Sequence, residues 1–574
     1  MPAPGFQALI LCGPGVSLNT FTSNPKDFPK ALVPIANRPM VWYPLEWCYR
    51  LGITNILLIT PLESSAALEA ALSQNPHLTS LPAPKPDILA PEGLTQTTST
   101  GEIFRLPQVQ DAITGDFIVL PCDLVCELDG ASLLEAWMIR EAGLGGATGG
   151  ITEEGRLLPM SVGGEKSGRR GGLGVWYQTK GEGSVKGEET DFIATTPLPE
   201  PIVPPPTGSL RPDLANLVYS VPTDTLNDIT EAHKSFPVRH SLLRKHGRIK
   251  MLSTHRDAHI YFFPFWVLEM MKRNPRFDSV SEDVVGWWAK AGWQDGLGDK
   301  IGLRDIFEKW AGDSDNEDPL SSSGMLDERV NVAGMSSTCA TAPATQDEPR
   351  RSSTTQLASR AGSATLIADT PKPRLTVPPI LAYVHPYVEN APLIRRVDTA
   401  PLLLNISLAL AKQPALDTVG RAFTPPYAHA SKIAHPESIP QRCRVDTADS
   451  LLAENVTVEE KVNIKESVIG AGCKISEGAR LLRCLLMEGC EVGENVQLTG
   501  CILGRRCRIE GGSGKGENRT VLKDCEVQEG HVVEWGTEAK DEKFMRFEGL
   551  SDEGEGFIVE DEELDDGAAG DFMA

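Results

Sequence analysis

Three short segments near the start of the chain carry residue types that could handle a phosphate or a metal ion. Residues 11–18, Leu-Cys-Gly-Pro-Gly-Val-Ser-Leu, follow an apolar run and hold two glycines, Gly13 and Gly15. Such a turn after a strand can present backbone N–H groups to a phosphate, although two glycines also make an ordinary turn. Lys30 lies in Phe-Pro-Lys-Ala-Leu-Val-Pro-Ile, residues 28–35. It could be a phosphate-binding cation or a solvated surface lysine. Asp123 closes Val-Leu-Pro-Cys-Asp. A carboxylate at the end of a parallel strand suits a metal ligand, and it suits a plain strand terminus as well.

Two further groups have simpler readings. Arg239, Arg244, Lys245, Arg248 and Lys250 put five cations in twelve residues. They could meet RNA or an acidic partner, but no aromatic residue interleaves them, so a solvated helix face is the better reading. Cys473, Cys490 and Cys507 are 17 residues apart, as are Cys484 and Cys501. No Cys-x2-Cys pair accompanies them, so stacked small side chains fit better than a zinc cluster, and no metal site is expected.

The elements that must position these residues alternate. A strand at residues 6–11 precedes a helical pattern at Val41, Leu45, Cys48 and Leu51, then a strand at 55–60. A third strand at 116–120 runs into a helix from about Ala131 to Ala142. This alternation predicts an α/β domain with a parallel, doubly wound sheet. Residues 161–212, with Gly-Gly-Leu-Gly at 171–174 and seven prolines from Pro197 to Pro212, read as a loop insertion. Residues 311–382 lack aromatics and are dense in Ser, Thr, Asp and Pro, the composition of a disordered linker.

The second half carries a repeat. Small or aliphatic residues fall at Val456, Val462, Val468, Cys473, Ala479, Leu485, Cys490, Val496, Ile502 and Cys507, in steps of 6, 6 and 5. A second series follows two positions later, with corner triplets beginning at Glu454, Glu477, Glu488 and Glu494. Period-two pairs, three to a 17-residue coil, describe a three-sided parallel β-helix whose coils must stack to bury a core.

Composition narrows the class. The chain has 574 residues, 55 Lys plus Arg, 78 Asp plus Glu, a formal charge of −23, and 41% hydrophobic residues. Substantial cores are expected, and nucleic-acid binding through the bulk surface is not. Residues 541–574 hold 13 acidic and 2 basic side chains, a solvated tail by composition. No run reaches the ~18 apolar residues of a membrane helix. With twelve cysteines and no basic-then-apolar leader, a reducing, cytosolic location is expected.

Taken together, the turn, the Pro-Lys-Ala-Leu-Val-Pro segment and the later aspartate resemble the sugar-nucleotide pyrophosphorylase pattern, with a β-helix following in the same order. The resemblance implies a nucleotidyltransferase-like fold with a left-handed β-helix, Lys30 as the phosphate cation and Asp123 as the metal aspartate. Departures are specific. The turn of active members reads Ala-Gly-Gly-x-Gly-Thr-Arg-Leu, and here its arginine falls on Ser17, its threonine on Val16 and one glycine on Cys12. His259, in Asp-Ala-His-Ile-Tyr, stands where glycine would let a sugar approach. Losing the arginine removes a bidentate phosphate clamp that serine cannot replace.

A degenerate site on this scaffold resembles the gamma-subunit family of eukaryotic translation initiation factor 2B. Residues 6–8, 30–34 and 42–45 carry the likeness, as do 248–249 leading into 257–259, and Arg-Arg-Val-Asp-Thr at 395–399. What this implies is a non-catalytic subunit of a guanine-nucleotide exchange factor. Its partners would be the epsilon subunit, the other subunits of that complex and initiation factor 2, with no cofactor, no metal and no membrane. Gly13, Gly15, Lys30 and Asp123 would then be vestiges of a nucleotide site. An active sugar-1-phosphate nucleotidyltransferase and a nucleotide-sugar-sensing pseudoenzyme are the alternatives. The expected boundaries are an α/β domain at 1–310, a linker at 311–382, a bridging segment with a helix at 383–435, the β-helix at 436–545 and the acidic tail at 546–574.

Overall fold

The computed structural model describes residues 5–13, 17–95, 97–141, 171–181, 184–185, 187–199, 204–313, 375–388, 391–420, 424–512 and 519–545. The acidic tail and most of the expected linker lie outside these. In the first domain, nine strands of the described residues form one sheet. One half is parallel, in the order Asp87–Leu89, Ile56–Ile59, Gln7–Leu11, Phe117–Pro121. Alternate residues of the central strands face two cores. Ala8, Ile10, Ile118 and Leu120 join the core on one side. Leu9, Phe117 and Val119 join the core on the other. Both faces are covered, which explains the near-continuous apolar runs.

The other half corrects two expectations. The sheet is mixed, not wholly parallel: Lys250–Phe263 runs antiparallel to Phe117–Pro121, and Gly172–Gln178 runs antiparallel to Lys250–Phe263. Residues 161–212 contribute Gly172–Gln178 and Asp191–Pro197 to the sheet instead of forming only a loop. The glycines that suggested a loop are packing sites. A Cβ on Gly172 would lie 2.5 Å from the Trp288 ring, and one on Gly174 would lie 2.6 Å from the Trp176 ring. The expected linker at 311–382 also overreaches at both ends. Helix Leu303–Asp313 runs into its start, and strand Ile380–Val384 pairs in parallel with Gly172–Gln178 near its end. Trp288 ties this return down by donating its indole N–H to the Pro378 carbonyl at 2.7 Å.

The β-helix consists of three parallel sheets. Register advances by 17 residues per coil, as in Leu451↔Val468↔Leu485↔Ile502. One coil is longer: Gln497 pairs with Val521. Corners need a left-handed backbone, supplied by Asn455, Gly478, Gly489 and Asn495, each directly after one of the marked glutamates. Val456, Val462, Cys473, Ala479, Cys490, Val496 and Cys507 fill the coil interior. Val468, Leu485 and Ile502 do not. They are buried, but in the core shared with the first domain, while Ile469, Leu486 and Leu503 take the interior positions beside them. Successive residues of a strand face opposite sides, so an apolar residue at every position of this side marks a face with two burial partners.

That second partner includes helix Ala400–Lys412, which packs between strand Pro34–Ile35 of the first domain and strand Val468–Ile469 of the β-helix. Its Ser407 hydroxyl accepts from the Ala36 N–H at 3.2 Å. Asn37 Nδ2 donates to the Ile469 carbonyl at 2.9 Å, and Arg38 donates to the carbonyls of Tyr427 and Ala428. Near the last coils, Thr20 donates to Glu526 at 2.8 Å and the Arg505 guanidinium lies 4.4 Å from the Phe28 ring centroid. The β-helix thus packs directly on the segment that leads to Lys30.

Candidate functional site

Parallel strands Gln7–Leu11 and Phe117–Pro121 end side by side, with Leu11 opposite Pro121. The residues just beyond them are Cys12 and Gly13 on one strand, Cys122 and Asp123 on the other. Lys30 opens the short turn Lys30–Leu32, and its Nζ lies 2.7 Å from Asp123 Oδ2. Asp123 is almost wholly buried. A second cation arrives from far along the chain. Strand Ile394–Arg396 pairs antiparallel with Leu124–Cys126, and Arg396 Nε sits 3.4 Å from Asp123 Oδ1. The backbone fixes this approach, because the Val397 N–H donates to the Asp123 carbonyl at 2.8 Å.

The electrostatics follow. Burial alone would push the Asp123 carboxyl up, but Lys30 and then Arg396 outweigh it and hold the group well below the usual carboxylate range. Burial likewise opposes the charge on Lys30 and on Arg396, and in both cases Asp123 reverses the effect and the group stays cationic. Arg256 braces the arrangement from behind. It engages Asp398 with both guanidinium nitrogens and reaches Glu188 at 3.4 Å. Residues 394–398 are therefore held on both sides of Arg396.

The third component is a bulge in the long strand Lys250–Phe263. Asp257 pairs with Trp176 and Tyr261 pairs with Gly174, so three residues oppose one. His259, within the bulge, takes φ of +53°, the left-handed region that glycine would occupy without strain. Its N–H donates to Asp257 Oδ1 at 2.8 Å, and the Tyr261 hydroxyl donates to Oδ2. Burial and then the neighbouring Asp191 push the Asp257 carboxyl up to about 7. Burial and then Arg396 push His259 well below its ordinary range, so its imidazole is neutral. A cavity of ≈ 460 Å³ opens here, lined in part by Glu188, Asp191, Thr223, Arg256, His259 and Arg396.

The structure brings Lys30 and Asp123 together; Gly13 lies two residues beyond the end of strand Gln7–Leu11, and Gly15 lies outside the described residues. Arg396, Arg256 and Glu188 were not singled out from the sequence as site residues. The available signal was an adjacent arginine pair, Arg395-Arg396, between Ile394 and Val397, an unusual charge density for a buried apolar segment. Arg239, Arg244, Arg248 and Lys250 are exposed, and Lys245 caps the Gly292 carbonyl.

A divalent ion on Asp123 does not fit this arrangement. Both carboxylate oxygens already face cations, and a metal at the usual ~2.1 Å would be set close to two buried positive charges. Among the described residues, no group of three His, Cys, Asp or Glu side chains is placed to hold a metal. What the site can do is hold a charge-balanced, closed cluster beside a small polar cavity.

Comparison with known proteins agrees with the two-part architecture. Residues 10–156 match the nucleotidyl transferase family model, and residues 447–537 match the GMPPB C-terminal domain. Residues 10–156 of the first domain are thus similar to nucleotidyl transferases. The chain is also 24% identical over 291 residues to translation initiation factor eIF2B subunit gamma of Schizosaccharomyces pombe, a span covering 50% of this chain and 52% of that protein. The chain thus spans about half the length of that relative. Its likeness to the gamma-subunit family accords with the residues that first suggested it. Lys30 and Asp123 lie within the matched segment, and Arg396 comes from outside it.

Proposed function

We propose that this chain is a non-catalytic subunit of the guanine-nucleotide exchange factor for translation initiation factor 2, acting with an epsilon subunit and the other subunits of that complex. The observation that carries the proposal is the clamp on Asp123. In a working nucleotidyltransferase this carboxylate would be free for a metal, and here Lys30 and Arg396 neutralise both of its oxygens. Ser17, in place of the family's arginine, offers no bidentate contact to a triphosphate. Similarity to a protein named as subunit gamma supports the same reading. The role is then structural: the nucleotidyltransferase domain and β-helix, locked together by helix Ala400–Lys412, present a composite surface to partners in the cytosol.

The test is an assay for pyrophosphate release by the full chain, with Mg²⁺, nucleoside triphosphates and a panel of sugar 1-phosphates. The expected result is no release above background. Removing a single transition-state donor typically costs ~10²–10³ in rate, and here the metal position is lost as well. Pyrophosphate release that Asp123→Ala abolishes would replace the proposal with an active nucleotidyltransferase.

A further inference from the structure

Two of the five cations at residues 239–250, Arg248 and Lys250, stand at the mouth of a closed ring of strands. Strand Asp191–Pro197, at one end of the strand order, pairs back onto Lys250–Phe263. With Gly172–Gln178, Ile380–Val384 and Leu214–Pro222, these described strands form a five-membered ring. A cavity of ≈ 1030 Å³ opens at one mouth, lined by Gln178, Thr195, Leu214, Val384 and the start of Lys250–Phe263. Lys250, Leu252 and Thr254 alternate along that strand, and all three line the cavity. Barrel mouths are a preferred place for ligands.

The lining describes its occupant. Among the described residues it holds three cations, Arg211, Arg248 and Lys250, against one carboxylate, Asp213, in a chain whose formal charge is −23. Leu198, Leu252, Val384 and Tyr387 line it as well, and Tyr387 is 69% exposed. Exposed apolar surface rimmed by charge is typical of an interaction site. An acidic segment that carries apolar side chains complements both properties. Residues 546–574, which lie outside the described residues, have that composition. They hold 11 acidic side chains and one basic, and Phe-Ile-Val at 557–559 runs directly into Glu-Asp-Glu-Glu at 560–563. Extended, 29 residues reach ~100 Å, against a radius of gyration of ~20 Å for a domain of about 310 residues.

We infer that the acidic segment 546–574 docks into this barrel mouth. Its apolar side chains pack against Leu252, Val384 and Tyr387, and its carboxylates face Arg248 and Lys250. Tethering makes the contact intramolecular, at an effective concentration in the millimolar range, so a modest intrinsic affinity suffices. Pairs between exposed charges are screened by salt, so docking weakens as ionic strength rises. The segment then covers a basic surface that is rare on so acidic a chain.

The experiment treats the folded full chain with a carbodiimide, which joins a carboxylate to a lysine amine in direct contact, and maps the links by peptide mass spectrometry. Lys250 should link to carboxylates of the segment at least about tenfold more than Lys234 or Lys300, two exposed lysines of the same domain, as expected for a tethered dock. Arg248→Glu leaves the Lys250 amine in place and should cut its links at least about fivefold, because a like charge then faces the carboxylates. Sodium chloride at about 0.5 M should cut them similarly. Mixing chains of two isotopic compositions should show links within single chains. Links between chains would assign the mouth to the segment of a second copy and overturn the intramolecular dock. Links spread evenly over the exposed lysines, or unchanged by Arg248→Glu, would overturn it too. Arg248 is exposed, so the variant tests contact and not folding. Failure here would not touch the exchange-factor reading, which rests on Asp123.

Discussion

At the scale of single residues, the site is a set of buried charges that depend on one another. Asp123 sits between two cations, so its removal strands both. Asp123→Ala should cost ~3–5 kcal/mol in urea or thermal unfolding, as expected for leaving buried charge unpaired. Arg396→Ala leaves Asp123 with Lys30 and should cost about half that. Adding Arg396→Ala to Asp123→Ala should recover part of the loss, and strict additivity of the two would contradict the clamp. Asp257 gives a pH signature. Its folded pKa, about 7, is raised above the ~3.9 of an unfolded aspartate. The stability this contributes is full below pH ~4 and is lost as pH rises through about 7. The wild-type chain should therefore lose stability relative to Asp257→Asn between pH 5 and pH 8, by on the order of 2–3 kcal/mol. Melts at both pH values check this, and an unchanged difference would mean that the carboxyl is not held protonated. Lys30 and Asp123 were legible in the sequence because they belong to short local motifs. Arg396 lies 273 residues from the carboxylate that it meets, and no local pattern announces such a pairing.

At the scale of elements, the β-helix was the most legible part of the chain because a 17-residue register recurs over several coils and each coil pairs with the next. The sequence misled at one side of it. Val468, Leu485 and Ile502 share the hydrophobic period, but they face the first domain. The two residue sets should therefore respond differently. Val462→Asp puts a carboxylate inside the coil and should unfold the β-helix, at a cost of several kcal/mol. Leu485→Asp should leave the coil folded and separate it from the first domain, seen as two melting transitions or as cleavage between the domains. Glu494→Ala, on an exposed corner, should shift stability by less than ~0.5 kcal/mol. One common transition for Val462→Asp and Leu485→Asp would contradict the two-faced register. Strands Gly172–Gln178 and Asp191–Pro197 were missed for the opposite reason. Their glycines and flanking prolines mimic a loop, while Val175, Trp176, Tyr177, Phe192 and Ile193 carry the burial.

At the scale of the whole molecule, the strand order joins distant stretches. Ile380–Val384 returns to the first sheet, Ile394–Arg396 closes over the site, and Ala400–Lys412 then carries the chain to the β-helix. This path makes the connection between the two matched segments part of the fold, and it delivers Arg396 to Asp123. The central claim of the exchange-factor reading is that such a molecule offers surfaces while Lys30 and Arg396 occupy both oxygens of Asp123. The most direct measurement follows release of labelled GDP from initiation factor 2 in the presence of this chain alone, the epsilon subunit alone, and both. The account predicts no acceleration by this chain alone, acceleration by epsilon, and faster release by the pair. Strong exchange by this chain alone, at a concentration that saturates the pair, would contradict it.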